Sequence, residues 1–177
     1  MSFVRLVDAL NERIGRAVSW LVLAMVLIGA YNALARYAGR WVGINLSSNA
    51  YLEMQWYLFS LVFLLGAAYA LKHDDHVRVD VLYTRLPKRA QLWVDLVGTV
   101  VLLVPFAIFS IWAAIPTVLN SWSIGEASPD PGGLPRYPIK IMILVAFGLL
   151  LLQGLAEVIR KATLLSSGMD SEGGPEQ

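Results

Sequence analysis

Apolar residues run without a single charge from Ala17 to Ala35, from Met54 to Leu71 and from Leu96 to Gly125. A fourth run, Ile139 to Ile159, is interrupted only by Lys140 and Glu157 near its ends. The stretch from Leu58 to Asp80 shows the pattern most sharply. It is apolar through Leu71 and then turns abruptly into Lys72, two histidines, three aspartates and an arginine, with no proline or glycine at the change. A soluble core helix would carry a polar stripe every three or four residues, and this run has none. It reads as a helix leaving a bilayer.

The pattern predicts an all-α integral membrane protein with four transmembrane helices, at about 17–35, 53–71, 92–120 and 139–159. Before the first span, Phe3, Val7, Leu10 and Ile14 recur at steps of four, three and four, with Arg5, Asp8, Glu12, Arg13 and Arg16 mainly opposite. That is an N-terminal amphipathic interfacial helix over 2–16. Ala33-Leu34-Ala35 has the small-residue pattern of a signal-peptide cleavage site, but the preceding polar region is long and holds two acids, so the span is kept. Pro105 and Pro116 predict a tilted or kinked third span ending near Asn120, with Trp122 at the interface. Residues 128–138 carry four prolines and two glycines and predict a stiff, non-helical surface loop. Lys140 and Glu157 are expected to snorkel from the ends of the fourth span. The whole is one membrane domain over 1–165, followed by a disordered tail at 166–177.

Composition agrees. The chain has 177 residues, 57% hydrophobic and 15% charged, against about 25% charged in soluble domains. Its net charge of +1 gives no reason to expect nucleic acid. There is no cysteine, so disulfides, thiolate metal sites and cysteine nucleophiles are excluded.

Charge placement orients the chain. Arg5, Arg13, Arg16, Lys72, Arg78, Arg85, Lys88, Arg89, Arg160 and Lys161 fall on the side of the termini, ten in all, and Arg36, Arg40, Arg136 and Lys140 on the other. The positive-inside rule puts both termini in the cytoplasm of a multi-pass inner-membrane protein.

The residues that could carry chemistry are few. Glu53 and Arg36 stand at similar depth at the outer ends of spans two and one and are expected to pair, with a proton- or ion-coupling role for Glu53 as the functional reading. Asp95 lies about two turns inside span three, with Lys88, Arg89 or Lys161 in reach as anchoring partners. His73 and His76 have metal-like spacing beside three aspartates, but solvated loop residues more often look like this and no cysteine assists. The same two histidines are the only ones in the chain and lie outside the spans, which argues against a haem anchor. Gly29-x-x-x-Ala33, Gly66-x-x-x-Ala70 and Ser110-x-x-x-Ala114 are small-residue pairs that permit close helix packing. No nucleotide loop, nucleophile–base pair or spaced carboxylate pair is present, so neither an enzyme nor a cofactor is expected.

Arg36-Tyr37, Tyr51-Leu52-Glu53-x-x-Trp56, Phe63-Leu64-Leu65-Gly66-Ala67-Ala68, and His76-Val77-Arg78-Val79-Asp80 with Leu86-Pro87 resemble a known family. It is the small membrane subunit, Q or DctQ, of the tripartite ATP-independent periplasmic (TRAP) transporters. The segment around Glu53 and the outer Gly132-Gly133-Leu134-Pro135 resemble the branch often labelled for mannitol or chloroaromatic compounds. The resemblance implies a non-catalytic scaffold beside a large membrane subunit that moves the substrate with sodium, a periplasmic protein delivering an organic acid or similar solute. It also implies that Arg36, Glu53, His76, Arg78 and Asp80 shape the subunit and its junction rather than coordinate substrate; Trp56, Gly66 and Asp95 are further structural or interface candidates. Many relatives have a Glu-Glu pair where this chain has Glu53 alone. The alternative is a self-sufficient small proton-coupled exporter that oligomerises around Glu53.

Overall fold

A computed structural model of the chain describes residues 2–44, 46–74 and 83–167. Among the described residues, four helices are long and apolar enough to cross a membrane. They are α1 (Ser2–Val42), α2 (Asn49–His73), α3 (Lys88–Ser123) and α4 (Tyr137–Ser166). The helices alternate in direction. One end of the bundle therefore gathers the start of α1, the end of α2, the start of α3 and the end of α4. This is the termini end, and the 124–136 connection marks the opposite, loop end.

The helix ends follow from local chemistry. Gly43, at φ +73°, lets α1 stop in a left-handed turn in which the Ile44 N–H reaches the Gly39 carbonyl at 3.2 Å. Ser48 caps α2 by accepting from the Ala50 N–H at 3.2 Å. Asp74 closes α2 in the left-handed region at φ 61°, which a short polar side chain tolerates.

Residues 2–16 and the run 17–35 form one unbroken helix of 41 residues, about 62 Å at 1.5 Å per residue. Its inward stripe is Val7, Asn11, Gly15 and Val18, while Phe3, Leu6 and Leu10 are exposed. In α3 the expected distortion takes the form of a π-helical turn at Thr99–Leu103. Pro105 has no N–H to offer the carbonyl four residues earlier, and the register slips, so that the Val104 N–H bonds back to the Thr99 carbonyl. Pro116 sits inside the following α-helix, which runs on to Ser123.

α4 is the central helix. It packs on α1, α2 and α3, whereas α3 has no comparable contact with α1 or α2 among the described residues. In the most apolar stretch of α4, 39% of residues are buried, against 6–11% in the other helices. The spatial order is therefore α1, α2, α4, α3, with the parallel pair α2 and α4 in the middle. Close approach occurs where side chains vanish. A Cβ at Gly15 would stand 2.1 Å from the Tyr69 ring, and one at Gly154 would stand 2.5 Å from Leu103 Cδ2. At Gly66 a Cβ would meet nothing within 4 Å, so the small-residue pair there is not spent inside the bundle.

Gly154→Leu is accordingly expected to push α3 off α4 and cost about 1–3 kcal/mol by overpacking. Gly148→Leu, where a Cβ meets nothing within 4 Å, serves as the tolerated control. Thermal unfolding of the detergent-solubilised variants checks both.

Candidate functional site: two polar layers

Polar side chains concentrate at the two ends of the bundle, and each set ties helices together. At the loop end Glu53, 3% exposed, is not paired with Arg36. Its carboxylate accepts from the Ser128 hydroxyl and the Leu134 N–H, both in the proline-rich connection. One turn along α2, the Tyr57 hydroxyl donates to the Pro135 carbonyl, and the Asn49 amide donates to the Pro131 carbonyl at 3.1 Å. The loop itself closes through an isolated antiparallel bridge between Ala127 and Pro135. The start of α2 thus holds the loop by side chains, while α3 and α4 hold its ends.

The rest of that layer is cationic. Lys140 pairs with Glu126, and the Arg136 guanidinium lies 5.7 Å from the centre of the Trp56 ring. The Lys140 ammonium bonded to Glu126 holds that carboxyl below its ordinary range. Arg36 is exposed on α1, in a shallow pocket with Gly39, Arg40, Gly43 and Ile44. The expected Arg36–Glu53 contact fails because the carboxylate finds loop donors first.

At the termini end, Asp95 accepts from Lys161 Nζ and from the Tyr83 hydroxyl, each at 2.9 Å. Of the anchoring cations expected for it, Lys161 is the one that joins α3 to α4 here. Glu12 on α1 takes Lys72 of α2 at 2.6 Å, with His73 Nε2 at 3.4 Å. Asn11 Nδ2 donates to Gln153 Oε1 at 2.7 Å, both residues fully buried, and Gln153 Nε2 donates to Asp8 Oδ1 at 3.1 Å. Arg160 bridges Asp8 and Glu157. Glu157 is therefore 6% exposed and does not snorkel to water as the sequence suggested; Arg160, one turn on, brings the countercharge to it.

Sequence reasoning missed the Asn11–Gln153 and Glu12–Lys72 contacts. Gln153 carried a usable signal, as the lone amide inside the uncharged stretch 141–156. The Leu134 N–H carried none, because a backbone donor leaves no trace in residue type. His76, Arg78 and Asp80 lie outside the described residues, as does nearly all of the 166–177 tail. Among the described residues no group of three His, Cys, Asp or Glu side chains is placed to hold a metal ion.

The layers stand a membrane's thickness apart. Glu53 and Lys72 on α2 are separated by ~28 Å at 1.5 Å per residue, and Lys140 and Glu157 on α4 by ~26 Å. The hydrocarbon core of a bilayer is about 30 Å thick.

Comparison with known proteins gives a consistent picture. The family described as "Tripartite ATP-independent periplasmic transporters, DctQ component" matches residues 25–164. A curated relative, the "Isethionate TRAP transporter permease protein DctMQ" of Oleidesulfovibrio alaskensis, is 27% identical over 143 residues. The match covers 78% of this chain and 22% of that protein, so the chain spans about a fifth of the relative's length. No solved structure matches.

Two outcomes follow from the layers. Lys161→Met removes the half-buried ammonium that joins α4 to Asp95 and is expected to cost about 1–2 kcal/mol. Lys161→Met with Asp95→Leu replaces the whole pair by apolar groups and is expected to recover part of that loss, as read by thermal unfolding in detergent. Glu126 has its folded-state pKa lowered, so its stabilisation is complete above the unfolded carboxylate range and is lost as pH falls through the folded value. Hydrogen-exchange protection of residues 126–136, taken relative to the intrinsic rate at each pH, should fall on acidification, and Glu126→Gln should flatten that part of the pH profile.

Proposed function

The chain belongs to the DctQ-component family of tripartite ATP-independent periplasmic transporters, and on that premise we propose that it is a static brace for the large membrane subunit of a sodium-coupled solute importer. The large subunit binds and moves an organic acid or similar solute, and a periplasmic binding protein delivers it. Both termini of the small subunit face the cytoplasm, and the 126–136 loop faces the periplasm. Residues 2–16 sit at the cytoplasmic membrane surface as the leading part of α1.

One observation supports this reading above the rest: no charged side chain stands between the two polar layers in any of the four helices. A carrier that couples to protons or sodium needs ionisable or coordinating groups along its path. Here Glu12, Asp95 and Asp8 are each bonded to a cation of another helix, Lys72, Lys161 and Arg160. Glu53, the residue on which a proton-coupled exporter would turn, is bonded to Ser128 and Leu134 of its own chain. Such a bundle adds rigid width in the bilayer, against which a moving element can work. The gradient chemistry belongs to the partner.

The expected result in proteoliposomes is no uptake or efflux by the purified chain alone, and sodium-dependent uptake once the large subunit and the binding protein are added. Proton-driven efflux by the isolated chain that disappears in Glu53→Gln would sink the scaffold reading. Because the protein has no cysteine, Asp130→Cys and Arg85→Cys report sidedness cleanly. Intact cells treated with an impermeant thiol reagent should label the first and spare the second.

A further inference from the structure

At the termini end α1 and α4 outlast α2. Lys72, beside the end of α2, meets Glu12, whereas Arg160 of α4 meets Asp8 one turn nearer the start of α1. α2 stops at His73, so beyond that level it no longer fills the angle between the other two. A crevice of about 730 Å³ opens there, between Val4, Arg5 and Asp8 of α1 and the stretch of α4 from Ile159 to Ser167. Val4 lies ~6 Å beyond Asp8 and Ser167 ~10 Å beyond Arg160, at 1.5 Å per residue. The polar region outside each face of the hydrocarbon core is roughly 5–8 Å deep. The crevice therefore stands at headgroup depth.

One uncovered row of α4 leads into it from the bilayer. Between Tyr137 and Lys161 the exposed side chains of this helix are Val145, Leu152, Leu155 and Ile159. With Gly148 they recur at steps of three, four, three and four, which is a single row on the helix surface. A Cβ at Gly148 would meet nothing within 4 Å, so the row is notched there. One turn beyond Ile159 the row reaches Thr163, inside the crevice. From Gly148 to Ile159 it measures ~16 Å, against ~15 Å for half the hydrocarbon core. That is the depth of one leaflet.

The polar lining selects a head. Arg5 is exposed and makes no ion pair among the described residues. Arg160 gives one N–H to Asp8 and one to Glu157, which leaves three of the five donors of its guanidinium. The Thr163 and Ser167 hydroxyls donate to the Ile159 and Thr163 carbonyls, and so remain as acceptors. An oxyanion thus finds donors at Arg5, and a donor group finds acceptors beside it. Arg5 and Arg160 balance Asp8 and Glu157, so these four charges sum to zero. An anionic head adds a charge that nothing here offsets, and a choline head has no N–H for the acceptors. A phosphate diester joined to a primary ammonium meets both sets and leaves the sum at zero.

We propose that the α1–α4 crevice binds the headgroup of one phosphatidylethanolamine-type lipid. Its phosphate sits on the Arg5 guanidinium, its ammonium turns toward Asp8 and the Thr163 and Ser167 hydroxyls, and one acyl chain lies along the α4 row as far as Gly148. On the orientation given above, the lipid belongs to the cytoplasmic leaflet. It fills the angle that α2 leaves and joins the leading end of α1 to α4. The site is complete within this chain, so it is independent of the scaffold role.

The test is native mass spectrometry of the full chain, stripped of lipid in detergent and titrated with phosphatidylethanolamine, phosphatidylglycerol or phosphatidylcholine of matched acyl chains. Inorganic phosphate serves as competitor. The expected result is one phosphatidylethanolamine per chain, held at collision energies that remove the other two lipids and not displaced by millimolar phosphate. Arg5→Gln should weaken that binding about tenfold, and Thr163→Val should weaken it by removing an acceptor. Arg13→Gln changes an exposed arginine of the same helix outside the crevice and should leave binding unchanged. Unaltered melting temperatures in lipid-free detergent show that the variants fold. Phosphatidylethanolamine with a diazirine on its acyl chain should attach to residues 148–159. Equal retention of the three lipids, a preference for phosphatidylglycerol, or displacement by phosphate overturns the headgroup assignment. Equal losses in Arg5→Gln and Arg13→Gln, or attachment outside the row, overturn the site.

Discussion

A polar group inside hydrocarbon has no water to turn to, so each must find a partner within the protein or retreat to the membrane surface. The bundle meets this constraint by confining its charges to two layers and filling the space between with apolar and small side chains. Within each layer, partners come from different helices. Glu12 with Lys72 joins α1 to α2, Asn11 with Gln153 joins α1 to α4, and Asp95 with Lys161 joins α3 to α4. In lipid, where apolar contact drives helix association only weakly, such bonds and close packing are what select one arrangement.

The same logic explains why α4 lies at the centre. It carries Gln153, Glu157, Arg160 and Lys161 within three turns, enough to hold α1 and α3 at once. It also carries Gly154, against which Leu103 packs. α3 is attached along a single stripe and is distorted by the π turn before Pro105. That leaves large apolar side chains such as Leu102, Phe109, Trp112 and Leu119 exposed around most of α3.

For function, what matters is where charge is missing. The spans hold no ionisable group between the layers, and the acid nearest to a coupling role is occupied by the loop it organises. On the proposed function, such a subunit would serve as the fixed reference for a moving partner. Its loop end presents a proline-rich segment pinned at Glu53, Tyr57 and Asn49 rather than a free linker.

Much of this was legible in residue order alone. Four long apolar runs, the cluster after Leu71 and the prolines at 105 and 116 specify four helices and a distorted third, because length, hydropathy and a missing N–H act locally. Asp95 could be matched to a short list of cations for the same reason. The partner of Glu53 could not be read, since the choice among Arg36, a serine and a backbone N–H depends on where a loop eighty residues away comes to rest. Nor could the burial of Glu157, which follows from Arg160 and Asp8 meeting across two helices. Periodicity sets what each helix is, and helix packing alone decides which faces are left for something else.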